Sequence, residues 1–246
     1  MRSVVITGVS RGLGAALFEG FQAEGDRILA LGRRFTVAQR AEAAAAADRI
    51  VLRTADLRDL ASLPDAVELA AFVDGGGPAE VVLVHNAGVF EPFGPIGTLT
   101  ARSIAEAVAV NLTAPMVLTD ALLAGGVRGR RLTVVYISSS AAHRIGGGRS
   151  VYGATKRAGE MFAETMAEEH RDDPTVRVVI VDPGIMDTEM QAVVRKHAME
   201  DAYFPGRERF QQRYARGEVP SPVDVARRIL TERLDHTDVL DSPQAR

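Results

Sequence analysis

Six short runs of Val, Ile and Leu punctuate this chain, and their spacing limits the folds open to it more than any other feature. The runs are "SVVIT" (3–7), "RILAL" (27–31), "IVLRT" (50–54), "EVVLV" (80–84), "RLTVVYIS" (131–138) and "VRVVIV" (176–181). Each is long enough for a strand and apolar on both faces, as strands buried inside a parallel sheet are. Between them lie stretches with helical spacing or high Ala and Glu content, at about 12–24, 35–48, 59–73, 100–123 and 152–171. This alternation predicts βαβ units with right-handed crossovers. It therefore predicts an α/β fold, a doubly wound parallel sheet with helices on both faces. The rhythm stops after Val181: 185–218 holds no strand-like run, only polar and aromatic helix-like pieces around "YFPGRERF". A last helix is predicted to start with Ser221 as N-cap and Pro222 at the first helical position. A short final strand is predicted near 238–240. With no low-complexity linker, 1–246 reads as a single domain.

Composition narrows the chemistry. There is no cysteine, which excludes disulfides, thiolate catalysis and cysteine-based metal sites. The five histidines are scattered without an HExxH-type pairing, so no metal site is expected. A net charge of −3 offers no basic field for nucleic acid or anionic lipid. No apolar run approaches the roughly 18 residues needed to span a bilayer. The start "MRSVVITG" passes straight into a strand-like run instead of a signal sequence, so a cytoplasmic location is expected.

The first strand runs into "TGVSRGLG" (7–14) and then a helix. Gly8, Gly12 and Gly14 let the backbone turn tightly and approach a pyrophosphate, which sits on the positive end of the following helix. The spacing is not GxGxxG, and such a turn can be only a turn; its place after the first strand of a βαβ series favours dinucleotide binding. Ser10, Arg11 and Leu13 belong to the same loop. About 20 residues on, NAD sites place an acidic residue for the ribose 2′-hydroxyl, whereas NADP sites supply arginine for the 2′-phosphate. Here the second strand ends "LGRRF", with Arg33 and Arg34 and no carboxylate. Arg11 adds a third guanidinium able to grip the same phosphate, so NADPH/NADP+ is expected over NADH. Asp56, followed by Leu57, is a candidate for the adenine edge and equally for the N-cap of the next helix.

The chemistry is expected in "SVYGATKRAGEM" (150–161), which holds one of only two lysines and one of four tyrosines. Tyr152 and Lys156 at i and i+4 share one helix face; about 0.03 such pairs are expected by chance in this composition. A phenol is a reluctant acid–base group at neutral pH, and a fixed ammonium one turn away favours the phenolate. Such a tyrosine can give a proton to a carbonyl oxygen as hydride reaches its carbon. Ser139, in "ISSS" at the C-terminal end of the fifth strand, lies at the edge where open α/β sheets bind ligands. Its hydroxyl can donate to the same oxygen, with Ser138 and Ser140 competing for the role.

These residues resemble the short-chain dehydrogenase/reductase family over nearly the whole chain. "TGVSRGLG", "NAG" (86–88), Asn111 in "VNLTAP", "ISSS", "YGATK" and "DPGIMDT" stand in the family's order and approximate spacing. The resemblance implies a Rossmann-type fold and a catalytic tetrad of Asn111, Ser139, Tyr152 and Lys156. In it Tyr152 is the general acid in reduction and Ser139 orients the carbonyl. Lys156 holds the nicotinamide ribose and lowers the tyrosine pKa, and Asn111 supports a water relaying protons to the lysine. It also implies that Asn86, Ala87 and Gly88 pack against the cofactor, and that Pro183, Gly184, Ile185 and Thr188 approach its nicotinamide end. Within the family, "MRSVVITGVSRGLG", "NLTAPMVLT", "PGIMDTEMQ" and "GEVPSPVDVA" resemble carbonyl reductases. That implies NADPH-dependent reduction of a small hydrophobic ketone or vicinal diketone. Same-family alternatives are a 3-oxoacyl thioester reductase or a broad alcohol dehydrogenase; the alternative of another class is a non-catalytic NADPH-sensing protein. The chain departs from the pattern at His85, where many members have asparagine, and in ending soon after Leu240. Met186, Met190, Tyr203 and Phe204, with His143 and Ile145, are the candidates for lining a substrate site under a cover at 185–218, though such residues are as often core. The family also implies a homodimer or homotetramer, paired through the helices near 100–123 and 152–171. The second of these carries Met161, Phe162 and Met166 beyond its catalytic face.

Overall fold

The computed structural model describes residues 1–75, 79–125, 127, 129–192, 212 and 215–234. Its six strands are β1 Ser3–Thr7, β2 Arg27–Gly32, β3 Ile50–Thr54, β4 Glu80–His85, β5 Arg131–Ile137 and β6 Val176–Val181. They form one all-parallel sheet in the order β3-β2-β1-β4-β5-β6. All six predicted strands are therefore present to within a residue. Register follows the apolar pattern: Val5 pairs with Leu29 on one side and Leu83 on the other.

Alternate residues of each strand feed opposite faces, because successive side chains point to opposite sides of a pleated strand. Val4, Ile6, Val82, Val84 and Val135 pack with Leu17, Phe18 and Phe21 of α1 (Gly12–Ala23) and with Val225 and Ile229 at the chain's last described helix. That helix is α7 (Pro222–Arg228), with a π-helical continuation at Ile229–Leu234. Val5, Leu29, Leu83 and Val134 face the other way. They pack with Leu69 and Phe72 of α3 (Ala66–Asp74), Leu118 and Leu122 of α5 (Ala114–Gly125) and Met166 of α6 (Ser150–Glu169). Each fully buried Leu or Phe on these faces stabilises the sandwich by roughly 1.5–3 kcal/mol. Met166, placed by the sequence on an outer apolar face, is thus in the core, whereas Met161 is 53% exposed.

Three helices depart from their predicted extents. α2 (Val37–Ala45) is shorter than 35–48 because Thr36 caps it, accepting from Gln39 N–H while the Gln39 side chain accepts from Thr36 N–H. The stretch predicted as one helix over 59–73 breaks at Pro64. Its first part is a single 3-10 turn, Leu60–Ser62, capped by Asp59, and α3 restarts with Asp65 accepting from Glu68 N–H. Asp59, not Asp56, is the cap. The long helix runs through Ala101–Gly125 as α4 (Ala101–Val108), a π-helical turn at Ala109–Thr113, and α5. By length and composition this helix could cross a membrane, although the sequence shows no unbroken apolar run of that length. Here part of it is buried against α3, α6 and the sheet.

Beyond β6 the chain returns to the sheet. Ser221 caps α7 as predicted, accepting from Asp224 N–H, and α7 lies on α1. A Cβ at Gly20 of α1 would overlap the Leu230 side chain. Asp187 N–H donates to the Pro220 carbonyl at 3.2 Å, so the two ends of the excursion after β6 are joined. The strand predicted near 238–240 lies outside the described residues.

Candidate active site

The strand order reverses between β1 and β4, and open parallel sheets bind ligands in the crevice at such a point. β1 leads there into Gly8, whose φ of +75° is open mainly to glycine. A Cβ on Gly8 would meet Ala87 at 2.9 Å, and one on Gly14 would overlap the Gly8 carbonyl and the Asn86 amide. The loops after β1 and β4 are laced together. Asn86 Nδ2 donates to the carbonyls of Thr7 (3.0 Å) and Gly8 (3.1 Å), and Asn86 and Ala87 N–H both donate to Thr7 Oγ1. Arg11, at the N-cap of α1, makes no side-chain cap, and the first turn carries no acidic residue. The first N–H groups of α1 are therefore oriented for an anion.

Thr188 lies against Gly12, with 3.3 Å from its Cγ2 to a Cβ placed there, and Arg11 pairs with Glu189; both side chains of that pair are exposed. Pro183 is buried, Gly184 is exposed, and Ile185 is half-buried after β6. Arg33 and Arg34 are exposed at the end of β2. Asp56 is held by Arg58, whose guanidinium keeps its carboxyl below the usual range, with a smaller pull from Arg33; Leu57 beside it is buried. These residues fit a dinucleotide: the glycine turn leaves room against the backbone, and unburied arginines stand where the second strand ends.

Along the same edge, β5 delivers the three serines. Ser138 turns into the protein and donates to Glu160 Oε1 at 2.6 Å. Ser139, one residue on, faces the other way and stands beside the Tyr152 phenol, close enough for its hydroxyl to lower the phenol pKa. Its Oγ also accepts from Ala141 N–H, which starts the short turn Ser140–Ala142. Ser139 rather than Ser138 is thus the hydroxyl beside the tyrosine. Tyr152 is 8% exposed and Lys156 4%; the ammonium donates to the Ile137 carbonyl at 2.7 Å. Asn111 lies in the π-helical turn. Its Oδ1 accepts from Val89 N–H (2.8 Å), and its Nδ2 donates to Val89 O (2.9 Å) and Thr155 Oγ1 (3.1 Å). Pro115 explains the turn: it has no N–H for the Asn111 carbonyl four residues back, and its ring crowds that carbonyl. Gly88 links the two ends, since a Cβ there would lie 3.6 Å from Lys156 Nζ.

Burial raises the Tyr152 pKa; the Ser139 hydroxyl pulls it back, Asp182 adds to the rise, and the Arg149 guanidinium opposes it. Burial lowers Lys156 itself to about 8, opposed by Glu160. Burial, helped by the Lys156 charge, lowers His85 to about 3, and its Nε2 meets Thr119 Oγ1 at 2.8 Å.

Of the residues expected to line a substrate site, Met190 packs, as Phe93 does, against the cluster of Phe90, Ala141 and Tyr152. Met186 packs instead on the α1 side of the core. His143 is turned to Glu160, with Nε2 2.7 Å from its carboxylate, and Ile145 is fully exposed. Tyr203 and Phe204 lie outside the described residues. Phe90, whose ring centre is 5.1 Å from that of Tyr152, and Arg149 were not foreseen. Phe90 lies just after "NAG" and Arg149 just before "SVYGATK", but only folding brings them to the phenol.

A glycine turn at the switch point and a buried tyrosine–lysine pair on the same edge are the arrangement of a nicotinamide-dependent oxidoreductase working at carbonyl or hydroxyl carbons. The chain belongs to the short-chain dehydrogenase family, whose model matches residues 2–199. It is 31% identical over 232 residues to a benzil reductase ((S)-benzoin forming) of Bacillus cereus, covering 93% of this chain and 92% of the relative. It is 30% identical over 239 residues to the sepiapterin reductase of Meriones unguiculatus, covering 92% and 88%. A solved short-chain dehydrogenase/reductase of Saccharomyces cerevisiae shares the fold with a TM-score of 0.77 at 24% identity, covering 91% of this chain and 86% of that one. The family uses NAD(P)(H) and acts on small molecules.

Proposed function

We propose that this chain is an NADPH-dependent reductase of small hydrophobic ketones and vicinal diketones, with Tyr152 as general acid. The observation that carries the reading is the Tyr152 phenol, buried beside Ser139 and walled by Phe90, Phe93 and Met190. When bound, the nicotinamide supplies the hydride. Ser139 and Tyr152 grip the carbonyl oxygen from one side, and their hold tightens as negative charge develops there. Tyr152 then gives its proton to that oxygen. The phenolate left behind is stabilised by Ser139 and Arg149, and Lys156, lowered to about 8, is poised to pass a proton back near neutral pH. Burial raising the phenol pKa keeps the acid protonated until it is needed. The apolar wall favours an uncharged aromatic or aliphatic carbonyl compound over a phosphorylated one.

Arg33 and Arg34 supply the charge for a 2′-phosphate, and no carboxylate stands at the end of β2 to claim a 2′-hydroxyl. The chain acts as one cytoplasmic domain in a homodimer or homotetramer, paired over Val117 of α5 and Met161 of α6, both exposed. A monomer on size-exclusion chromatography would contradict the last point. The deciding assay is oxidation of NADPH and of NADH with benzil and with 1-phenyl-1,2-propanedione. NADPH-selective turnover supports the reading; tight NADPH binding without turnover of either diketone removes the substrate assignment.

A further inference from the structure

Tyr136 is among the largest fully buried side chains in the molecule. It stands on β5 three residues before Ser139, in register with His85 of β4, and under α6. Two contacts tie it to the site. Its hydroxyl donates to the main-chain carbonyl of Asn111 at 3.1 Å, and its ring centre lies 5.2 Å from Lys156 Nζ. The first contact answers a specific need. The Asn111 carbonyl lost its helical donor to Pro115, and a buried carbonyl without a donor is unfavourable.

The second feature is the room made for it. Gly159 is in the middle of α6, and a Cβ there would overlap the Tyr136 hydroxyl and ring. A mid-helix glycine weakens a helix, so its presence has a packing reason here. It admits a tyrosine that a larger residue would exclude.

We propose that Tyr136 is a positioning residue of the reduction site, fixing Asn111 through its hydroxyl and the Lys156 ammonium through its ring, with Gly159 as the gap that admits it. The inference rests on the reading of Tyr152 and Lys156 as the catalytic pair. Charged and titratable groups near this point are Lys156, Tyr152 and Glu160 from α6 and His85 from β4, with Glu160 further bound by Ser138, His143 and Arg157.

The two contacts can be separated, because Tyr136→Phe removes the hydroxyl and keeps the ring while Tyr136→Leu removes both. The chain has only two lysines, Lys156 and Lys196, so lysine labelled with ¹³C at Cε gives two resolvable NMR titrations in the folded protein. Tyr136→Leu is expected to lower the Lys156 midpoint by roughly half a unit or more, because a cation over a ring face is stabilised. Tyr136→Phe leaves that midpoint in place and lowers kcat by roughly tenfold, with KM and the NADPH Kd unmoved. Gly159→Ala is expected to lower Tm. Adding Tyr136→Leu to it restores Tm but not kcat, which a purely structural role would not separate. A Lys156 midpoint unmoved in folded Tyr136→Leu overturns the proposal, whatever the enzyme turns over. So does a Tyr136→Phe enzyme with the parent's kcat. If the parent reduces neither diketone yet the midpoint moves as expected, the substrate reading fails and the placement of Tyr136 under Lys156 is supported.

Discussion

Around Gly8, Gly12 and Gly14 the backbone does the recognising: the side chains are absent, the helix end is open, and the nearby arginines are exposed. Around Tyr152 and Lys156 the backbone is ordinary helix and strand, and recognition falls to buried polar side chains that cost stability to hold. Both lie on one sheet edge, so the same topology supports two unlike strategies. The glycine end depends on room, and its errors should be steric. The tyrosine end depends on charge in a place without water, and its errors should be electrostatic and pH-dependent.

The sharpest test of that division is Tyr152→Phe. Turnover should fall by roughly a thousandfold or more while NADPH binding changes little; a matched loss of cofactor affinity would join the two ends into one. Next in size is Gly14→Ala, whose Cβ overlaps the Gly8 carbonyl and the Asn86 amide. It should weaken NADPH binding by at least an order of magnitude and destabilise the chain by about 1–3 kcal/mol, read by fluorescence titration and urea unfolding. Arg33→Ala combined with Arg34→Ala should cut the NADPH-over-NADH preference by roughly 10–100-fold through KM, with kcat nearly unchanged.

Smaller effects probe the stability cost of the tyrosine end. Lys156 has a folded pKa of about 8 against 10.5 ordinarily. The unfolded chain therefore keeps a proton between those values that the native chain has released, and below 8 the native state carries an unfavourable buried ammonium. Lys156→Met should remove that penalty and raise Tm at pH 7 by a few degrees while abolishing activity. His85 is the smallest effect. Its folded pKa of about 3 lies below the ordinary 6.5, so as pH falls from 6.5 toward 3 the unfolded chain takes up a proton the native chain refuses. Stability is lost over that window. Between pH 7.5 and 5.5 the parent should lose about 1 kcal/mol more than His85→Asn in urea unfolding; equal losses would take His85 out of the buried network.

Much of this was legible in the chain because burial on both faces leaves a strong mark. All six strands, the glycine turn and the serine–tyrosine–lysine spacing could be read directly, since each depends on residues close in sequence. Boundaries shift where a local cue outweighs the helical period: Pro64 breaking a helix, Thr36 and Gln39 forming a capping box, Pro115 widening a helix at Asn111. What the sequence had no means of exposing is pairing across elements. Arg149 and Phe90 beside the phenol, Glu160 holding Ser138, and Tyr136 filling the gap at Gly159 join residues whose separation along the chain carries no period.

The clasp between Asp187 and Pro220 makes the excursion after β6 a detour whose two ends meet again. Two polypeptides, one stopping and the other starting within 193–211, would together contain every described strand and helix. The second would carry α7, which has its own seat on α1 at Gly20 and Leu230. Two pieces divided there are expected to reassemble into an enzyme whose activity depends on whether they find each other, as co-expression and co-purification would check.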